Sequence, residues 1–135
     1  MADSFNFELV SPERLLLSAT VTEVVLPGTD GEMTVMANHA PTMTTIKPGV
    51  VTVTTSEGKT DRFVVFGGFA DILPEGCTLL AESAVAVSDI DRDDINKRLQ
   101  DAREDVADAS TDAAKQKAQE YLDQLTTLNG AILPA

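Results

Sequence analysis

Residues 78–95 read TLLAESAVAVSDIDRDDI, and the spacing of the apolar residues changes within this stretch. Up to Val87 the chain consists of short runs with a period of two, which is typical of β-strands. From Asp91 onward the apolar residues recur every three or four positions, which is typical of helices. The change predicts a β-domain over residues 1–87 and a helical domain over residues 88–135.

Upstream of this boundary, β-branched runs alternate with turn residues. Pro27-Gly28, Pro48-Gly49 and Pro74-Glu75-Gly76 each end a run, and Ser56 to Lys59 predicts a hairpin loop. The pair Gly67-Gly68 interrupts another run, which predicts a bulge or a sharp bend. About ten short strands at this spacing predict an antiparallel sandwich or flattened barrel.

Downstream, the pattern predicts an antiparallel helix-turn-helix. Asp91 is the expected N-cap of the first helix, Ser110 or Thr111 that of the second, and Gly130 the expected C-cap. The apolar stripes are Ile95, Leu99, Ala102, Val106 and Ala109 on the first helix, and Ala114, Ala118, Tyr121, Leu122, Leu125 and Leu128 on the second. Because the seam between them is rich in alanine, it buries little surface, and we expect the hairpin to be mobile.

Composition excludes several functions. The chain has 135 residues and a formal net charge of −12, which disfavours nucleic acid and direct docking on anionic lipid. No segment approaches the roughly 20 apolar residues of a membrane-spanning helix, so direct membrane insertion is not expected. The single cysteine and an N-terminus, Met1 to Ser4, without leader features predict a protein of the reducing cytoplasm.

Residues with catalytic chemistry are few. His39 is the only histidine and Cys77 the only cysteine, and no local signature links them. The loop Pro27 to Gly31 lacks the Gly-Lys-Ser/Thr of a phosphate loop, and the run Asp89 to Asp94 lacks the central Gly and closing Glu of a calcium loop. The sequence therefore predicts no catalytic residue, no metal site and no cofactor. A small hydrolase that uses His39 and Cys77 is an alternative.

Four motifs, taken in order, resemble the epsilon subunits of F-type ATP synthases, whose mitochondrial homologue is called delta. They are Pro27-Gly28-Thr29-Asp30-Gly31-Glu32, then Asn38-His39-Ala40-Pro41 with Ile46-Lys47-Pro48-Gly49, then Phe63 to Ala70, and finally Leu79 to Ala84 running into Asp89-Ile90-Asp91. The resemblance spans essentially the whole chain, and the absence of a transit peptide favours a bacterial member. It implies a flattened β-sandwich followed by a helix-turn-helix.

The resemblance also implies a function and partners. Such a chain is a non-catalytic rotor subunit of the central stalk, which couples rotation of the membrane c-ring through gamma to ATP synthesis in the catalytic head. Carried over by position, the residues that face the c-ring are Glu32, Asn38, His39, Ala40, Pro41 and Thr42. Thr44 and Phe66 match the face that meets gamma. The implied location is the cytoplasmic face of the bacterial inner membrane, as a peripheral protein.

In many members of that family the hairpin transiently contacts the alpha and beta subunits and blocks ATP hydrolysis. Here Lys115 and Lys117 are offset by acidic neighbours, which predicts at most modest inhibition. Some members bind ATP through an Ile/Leu-Asp-x-x-Arg-Ala motif. Ile90 and Asp91 match it, but Asp94 and Ile95 replace the Arg and Ala, so Arg92 or Arg98 would have to supply the cation. An ATP-sensing inhibitory module is therefore the alternative function, with Ile90, Asp91 and Arg92 as its candidate residues.

Overall fold

The computed structural model describes residues 4–132; residues 1–3 and 133–135, the ends of the two predicted domains, lie outside the described residues. The chain divides into two compact units between Val87 and Ser88. In the described part, the first unit consists of strands, and the second contains two α-helices.

The strands of the first unit are short, with one exception. They are β1 (Phe5–Val10), β2 (Leu15–Gly28), β3 (Gly31–Met36), β4 (Thr42–Ile46), β5 (Gly49–Thr55), β6 (Thr60–Val65), β7 (Gly68–Leu73), β8 (Gly76–Ala81) and β9 (Ala84–Ala86). The 14-residue β2 pairs with β1, β3, β4 and β5 along its length. This long strand therefore joins the two layers of the sandwich.

The strand order confirms the predicted sandwich. The order is β1-β8-β7-β4-β2-β5-β6-β9, with β3 added on β2 and with β1 also paired to β2. The predicted hairpin loop lies between β5 and β6, where Gly58 has a φ of 85° and the N–H of Thr55 donates to the carbonyl of Lys59 over 2.8 Å. The predicted bend lies at Gly67 and Gly68, whose φ values are 119° and 135°.

Two features of the sheet differ from the sequence prediction. β1 pairs with β8 in the parallel direction, whereas the prediction was antiparallel throughout. An alternating pattern reports which face a side chain occupies and carries no information on strand direction. In addition, β2 continues through Pro27 and Gly28, which were predicted to end it. Pro27 lies near the end of its strand and its carbonyl still accepts a hydrogen bond from the N–H of Lys47 over 3.0 Å, so proline is accommodated there.

The core of the sandwich is largely aliphatic. The alternate residues of β1 are buried, and the same period of two is found on β5, β7 and β8. β2 departs from it, because its register shifts between Val21 and Glu23 and its last three residues are all buried. The largest fully buried side chains are Phe7, Leu9, Leu26, Ile72 and Leu79, followed by seven valines. The alternating strands therefore have one inner face fixed by packing and one outer face available to solvent or a partner.

The second unit is a pair of helices, as predicted. After a 3-10 turn, Val87–Asp89, come α1 (Arg92–Asp108) and α2 (Asp112–Ile132). Both predicted N-caps are present: the Asp91 carboxylate accepts from the N–H of Asp93 over 2.9 Å, and the Thr111 hydroxyl accepts from the N–H of Ala114 over 3.0 Å. The buried residues of the stripes are Ile95, Leu99, Ala102, Leu125 and Leu128.

Gly130 was predicted to cap the C-terminus of the second helix, and this prediction is wrong. This glycine lies inside α2, which continues to Ile132, and its φ is not positive. A single glycine in a helix costs only about 1 kcal/mol relative to alanine, so the surrounding turns carry the helix through it. Ala114, predicted in the stripe of α2, is exposed, and Val106 and Ala109 are only half-buried.

Candidate interaction surfaces

An apolar row crosses the outer face of one layer of the sandwich. Phe69 on β7 lies directly opposite Leu80 on β8, and Leu80 lies opposite Val10 on β1. Val10 in turn pairs with Leu15 at the start of β2. Residues directly opposite each other share one face of a sheet, so these four side chains form one continuous strip across four strands.

Further large apolar side chains extend this strip. Met43 on β4 and Leu73 at the end of β7 alternate with inward-facing residues and so lie on the same outer face. We call Val10, Leu15, Met43, Phe69, Leu73 and Leu80 the outer apolar face. The exposed fractions of Met43, Leu15 and Phe69 are 68%, 52% and 43%. Contiguous exposed apolar surface of this kind marks an interaction site more often than it marks ordinary surface.

The two residues predicted to meet gamma lie outside the outer apolar face. Phe66 is only 3% exposed, so its side chain offers little surface to a partner, and its contact with gamma stays a prediction. Thr44 is half-buried and lies between the exposed Met43 and Thr45, so it faces the opposite side of β4. The alternation within Gly68–Leu73 was the missed signal, because it buries Ala70 and Ile72 and turns Phe69 outward.

The residues predicted to face the c-ring fall at the two ends of β3. Glu32 is exposed beside the β2–β3 turn, where it pairs with Pro27. Asn38 to Thr42 lie beyond the other end of the strand, in the connection to β4. At about 3.3 Å per strand residue, β3 spans about 13 Å from Glu32 to its last residue, Met36, and Asn38 lies beyond that end. The structure therefore brings Asn38 to Thr42 together but places Glu32 apart from them.

The loop between β3 and β4 is held by its own hydrogen bonds. Asn38 has a φ of 64°, and its N–H donates to the carbonyl of Pro74 in the β7–β8 turn over 3.0 Å. His39 Nδ1 donates to the carbonyl of Ala40 over 2.7 Å, and the hydroxyl of Thr42 donates to the same carbonyl over 3.1 Å. With Nδ1 as the donor, Nε2 of the neutral imidazole is an acceptor.

The candidate nucleotide residues have structural roles in the hairpin. Ile90 is half-buried, the Asp91 carboxylate caps α1, and Arg92 is the exposed first residue of that helix. Arg98 Nε donates to the Asp94 carboxylate over 3.1 Å, one turn along the helix. Asp91, the acid of the incomplete ATP-binding motif, and Arg98, one of the two cations that could replace its arginine, are therefore already bonded within α1.

Cys77 has no features of a nucleophile. Its side chain is 3% exposed, and burial, with a smaller contribution from the charge of Asp71, raises the pKa of the thiol from 9.0 to about 12. A thiol in this state is protonated at neutral pH and unreactive. The hydrolase alternative therefore loses its nucleophile.

Within residues 4–132, no three His, Cys, Asp or Glu side chains are grouped closely enough to hold a metal ion. None of the helices in that range has the length and apolar character that crossing a bilayer requires.

Comparisons with known proteins agree with this architecture. The family model described as "ATP synthase, Delta/Epsilon chain, beta-sandwich domain" matches residues 4–87. The chain is 69% identical to the ATP synthase epsilon chain of Mesorhizobium japonicum and 64% identical to that of Sinorhizobium fredii, in both cases over all 135 residues and the full length of the relative.

Solved structures show the same fold. A chain in the cryo-EM structure of the Euglena gracilis mitochondrial ATP synthase, with OSCP, F1 and c-ring, superposes with a TM-score of 0.75 at 25% identity, over 96% of this chain and 81% of that one. A chain in the central stalk and c-ring of the Tetrahymena thermophila mitochondrial enzyme superposes with a TM-score of 0.68 at 12% identity, over 93% of this chain and 96% of that one. The full-length identities confirm the predicted resemblance: the chain belongs to the ATP synthase epsilon-chain family.

Proposed function

We propose that the chain is a non-catalytic central-stalk subunit of a bacterial F-type ATP synthase, which turns with gamma and the c-ring and couples ring rotation to ATP synthesis. The observation that carries the proposal is the outer apolar face on a chain of this family. Five of the six large apolar side chains exposed in residues 4–132 lie there, on a protein whose net charge is −12. A continuous apolar face on a chain that is otherwise acidic favours a permanent protein partner.

Gamma is the partner we assign to the outer apolar face. The paired Phe69 and Leu80 are close to the centre of the face, where water is excluded most completely on binding. Aromatic and aliphatic residues in such central positions contribute most of the binding energy of an interface. Thr44 lies on the other side of β4, so its contact with gamma is a proposal separate from this face.

The c-ring is the partner we assign to the exposed side of β3 and the loop that follows it. β3 pairs only with β2 among the described strands, so it is an edge strand. A contact that includes both Glu32 and Asn38 to Thr42 has to extend along this edge from Glu32 to Met36, for about 13 Å. Glu32 would pair with a basic ring loop at one end, and Nε2 of His39 would accept a hydrogen bond at the other.

Residues 1–87 carry both of these contacts in our proposal, and residues 88–135 form a mobile hairpin with at most modest effect on ATP hydrolysis. Transient contact of the hairpin with the alpha and beta subunits belongs to the same proposal. The subunit is peripheral, on the cytoplasmic face of the bacterial inner membrane, and it reaches the membrane only through the ring. The names of the full-length bacterial relatives support this location.

The test is binding of purified gamma to the full chain. Phe69→Asp and Leu80→Asp place a charge in the centre of the outer apolar face, and each should weaken the complex by at least about a hundredfold. Met36→Asp is the matched control, since Met36 is 55% exposed on β3, outside that face. Undiminished gamma binding by both Phe69→Asp and Leu80→Asp would exclude the outer apolar face as the gamma site.

A further inference from the structure

A polar cavity lies at the end of the outer apolar face. Its volume is about 270 Å³, and it opens between the β1–β2 turn and the β8–β9 turn. Ser11, Glu13 and Arg14 line it from the first turn, and Glu82 and Ser83 from the second. Sites for drug-sized ligands measure about 300–1,000 Å³, so this cavity is suited to a single long side chain.

The cavity is continuous with the outer apolar face. The parallel pairing of β1 with β8 ends at Val10 and Leu80, which belong to that face. The chain then runs directly from Val10 into Ser11, and from Leu80 through Ala81 into Glu82. A partner that covers Leu80 is therefore within reach of the cavity.

The Glu82 carboxylate is held in place at the wall of the cavity. The N–H of Glu82 donates to the carbonyl of Gly67 over 3.0 Å, and the N–H of Phe66 donates to the carbonyl of Ser83 over 3.0 Å. A Cβ atom on Gly67 would lie 3.1 Å from Glu82 Oε2, so the carboxylate rests against the backbone of this glycine. Both bonds fix the β8–β9 turn, and the contact with Gly67 limits the positions of the carboxylate.

Within residues 4–132, no ion pair involves Glu13, Arg14 or Glu82. The ion pairs of residues 4–132 are Lys59 with Glu57 and Arg98 with Asp94, and neither involves a residue of the cavity. Glu13 and Glu82 outnumber Arg14, so the cavity has an excess of one negative charge. Arg14 belongs to the β1–β2 turn, opposite the turn that carries Glu82. The Glu82 wall is therefore complementary to a cation.

We infer that this cavity receives a lysine or arginine side chain of gamma, whose cationic group pairs with Glu82 while the neighbouring gamma residues cover the outer apolar face. The inference rests on the proposed function, because gamma must first dock on Phe69 and Leu80. The pair would lie at the margin of an apolar contact, where it selects the register of the partner on the sheet. Glu82 would thus determine the orientation of gamma in addition to its affinity.

The test measures the affinity of purified gamma for the full chain at two salt concentrations. Glu82→Gln should weaken the complex about tenfold at low salt, with a smaller loss at high salt, because screening already weakens the wild-type pair there. Asp61→Asn is the matched control, since it removes one negative charge from an exposed position of β6 near the β5–β6 loop, and its affinity should be unchanged. Arg14→Gln should leave the affinity unchanged or raise it.

The outcomes separate this inference from the proposed function. Wild-type affinity in Glu82→Gln, together with loss of binding in Phe69→Asp, would show that the cavity does not receive a cation of gamma. The outer apolar face would remain the gamma site. A loss in Arg14→Gln that Glu82→Gln does not share would assign the cavity to an acidic group of gamma and also overturn the inference. Wild-type affinity in Glu82→Gln, Phe69→Asp and Leu80→Asp would reject both the inference and the outer apolar face as the gamma site. Equal urea unfolding curves for Glu82→Gln and the wild type would verify that the fold is intact.

Discussion

The backbone N–H of Asn38 donates a 3.0 Å hydrogen bond to the carbonyl oxygen of Pro74, 36 positions further along the chain. This bond joins the β3–β4 loop, which carries His39, to the β7–β8 turn, which follows Leu73 of the outer apolar face. The proposed ring contact and the proposed gamma contact are therefore connected through backbone atoms. A rotor adaptor needs such a connection, because torque is lost wherever the two contacts move independently.

The left-handed backbone of Asn38 gives the first prediction. A φ of 64° is tolerated by asparagine and glycine but is an outlier for a β-branched residue. Asn38→Val should therefore lower the free energy of unfolding by about 1–2 kcal/mol, and Asn38→Gly should remain close to the wild type. Urea unfolding followed by circular dichroism measures both. Equal stability of the two variants would show that the loop relaxes to another backbone conformation.

The close approach of Gly68 to β8 gives the second prediction. A Cβ atom on Gly68 would lie 2.2 Å from the carbonyl oxygen of Leu80, and the φ of Gly68 is 135°. Gly68→Ala should cost about 3 kcal/mol, because two backbones must separate in the middle of the outer apolar face. Gly58→Ala is the control, since Gly58 also has a positive φ but nothing lies within 4 Å of its added Cβ. We expect about 1 kcal/mol there, and a loss as large as that of Gly68→Ala would contradict the steric explanation.

The buried thiol of Cys77 gives a prediction on pH. Its pKa is about 12 in the folded chain and 9.0 as an ordinary thiol, so only the unfolded chain ionises between these values. A raised folded pKa contributes stability that is complete below pH 9 and is lost as the pH rises toward 12. The wild type should therefore lose more stability than Cys77→Ala between pH 8 and pH 10.5. Parallel pH curves for the two proteins would show that the thiol does not respond to burial in this way.

The capping of α1 by Asp91 gives the fourth prediction. Asp91→Ala removes the acceptor for the N–H of Asp93 and should destabilise the hairpin by about 1 kcal/mol, whereas Asp91→Ser should retain most of the stability. The thermal loss of the helical circular dichroism signal at 222 nm distinguishes the two.

Asp91 also tests the alternative function, in which the hairpin binds ATP. Because the Asp91 carboxylate is used in the cap and Arg98 is paired with Asp94, we expect calorimetry of the full chain with Mg-ATP to show no binding tighter than millimolar. Binding tighter than millimolar that disappears in both Asp91→Ser and Arg92→Gln would restore the ATP-sensing module.

The residues on the outer apolar face could not be read from the motifs of the sequence. The motif Phe63 to Ala70 contains part of this face, but it favours Phe66, which is buried, over Phe69, which is exposed. Phe69 faces outward because β7 buries Ala70 and Ile72 on its other face. Similarly, Glu32 and His39 belong to successive motifs of the sequence, but most of strand β3 lies between them.

The sequence by itself determined the features that depend on residues close together in the chain. Hydrophobic periods distinguished the strands that end with β9 from the helices that begin with α1, and Asp91 and Thr111 marked the helix starts because a cap bonds only two or three residues away. The tertiary structure alone decided that β1 lies parallel to β8, and with it that Val10 meets Leu80 and that the Ser11 and Glu82 turns enclose a cavity. These pairings join residues about 70 positions apart. Their choice depends on how every strand packs into one core, which no local pattern encodes.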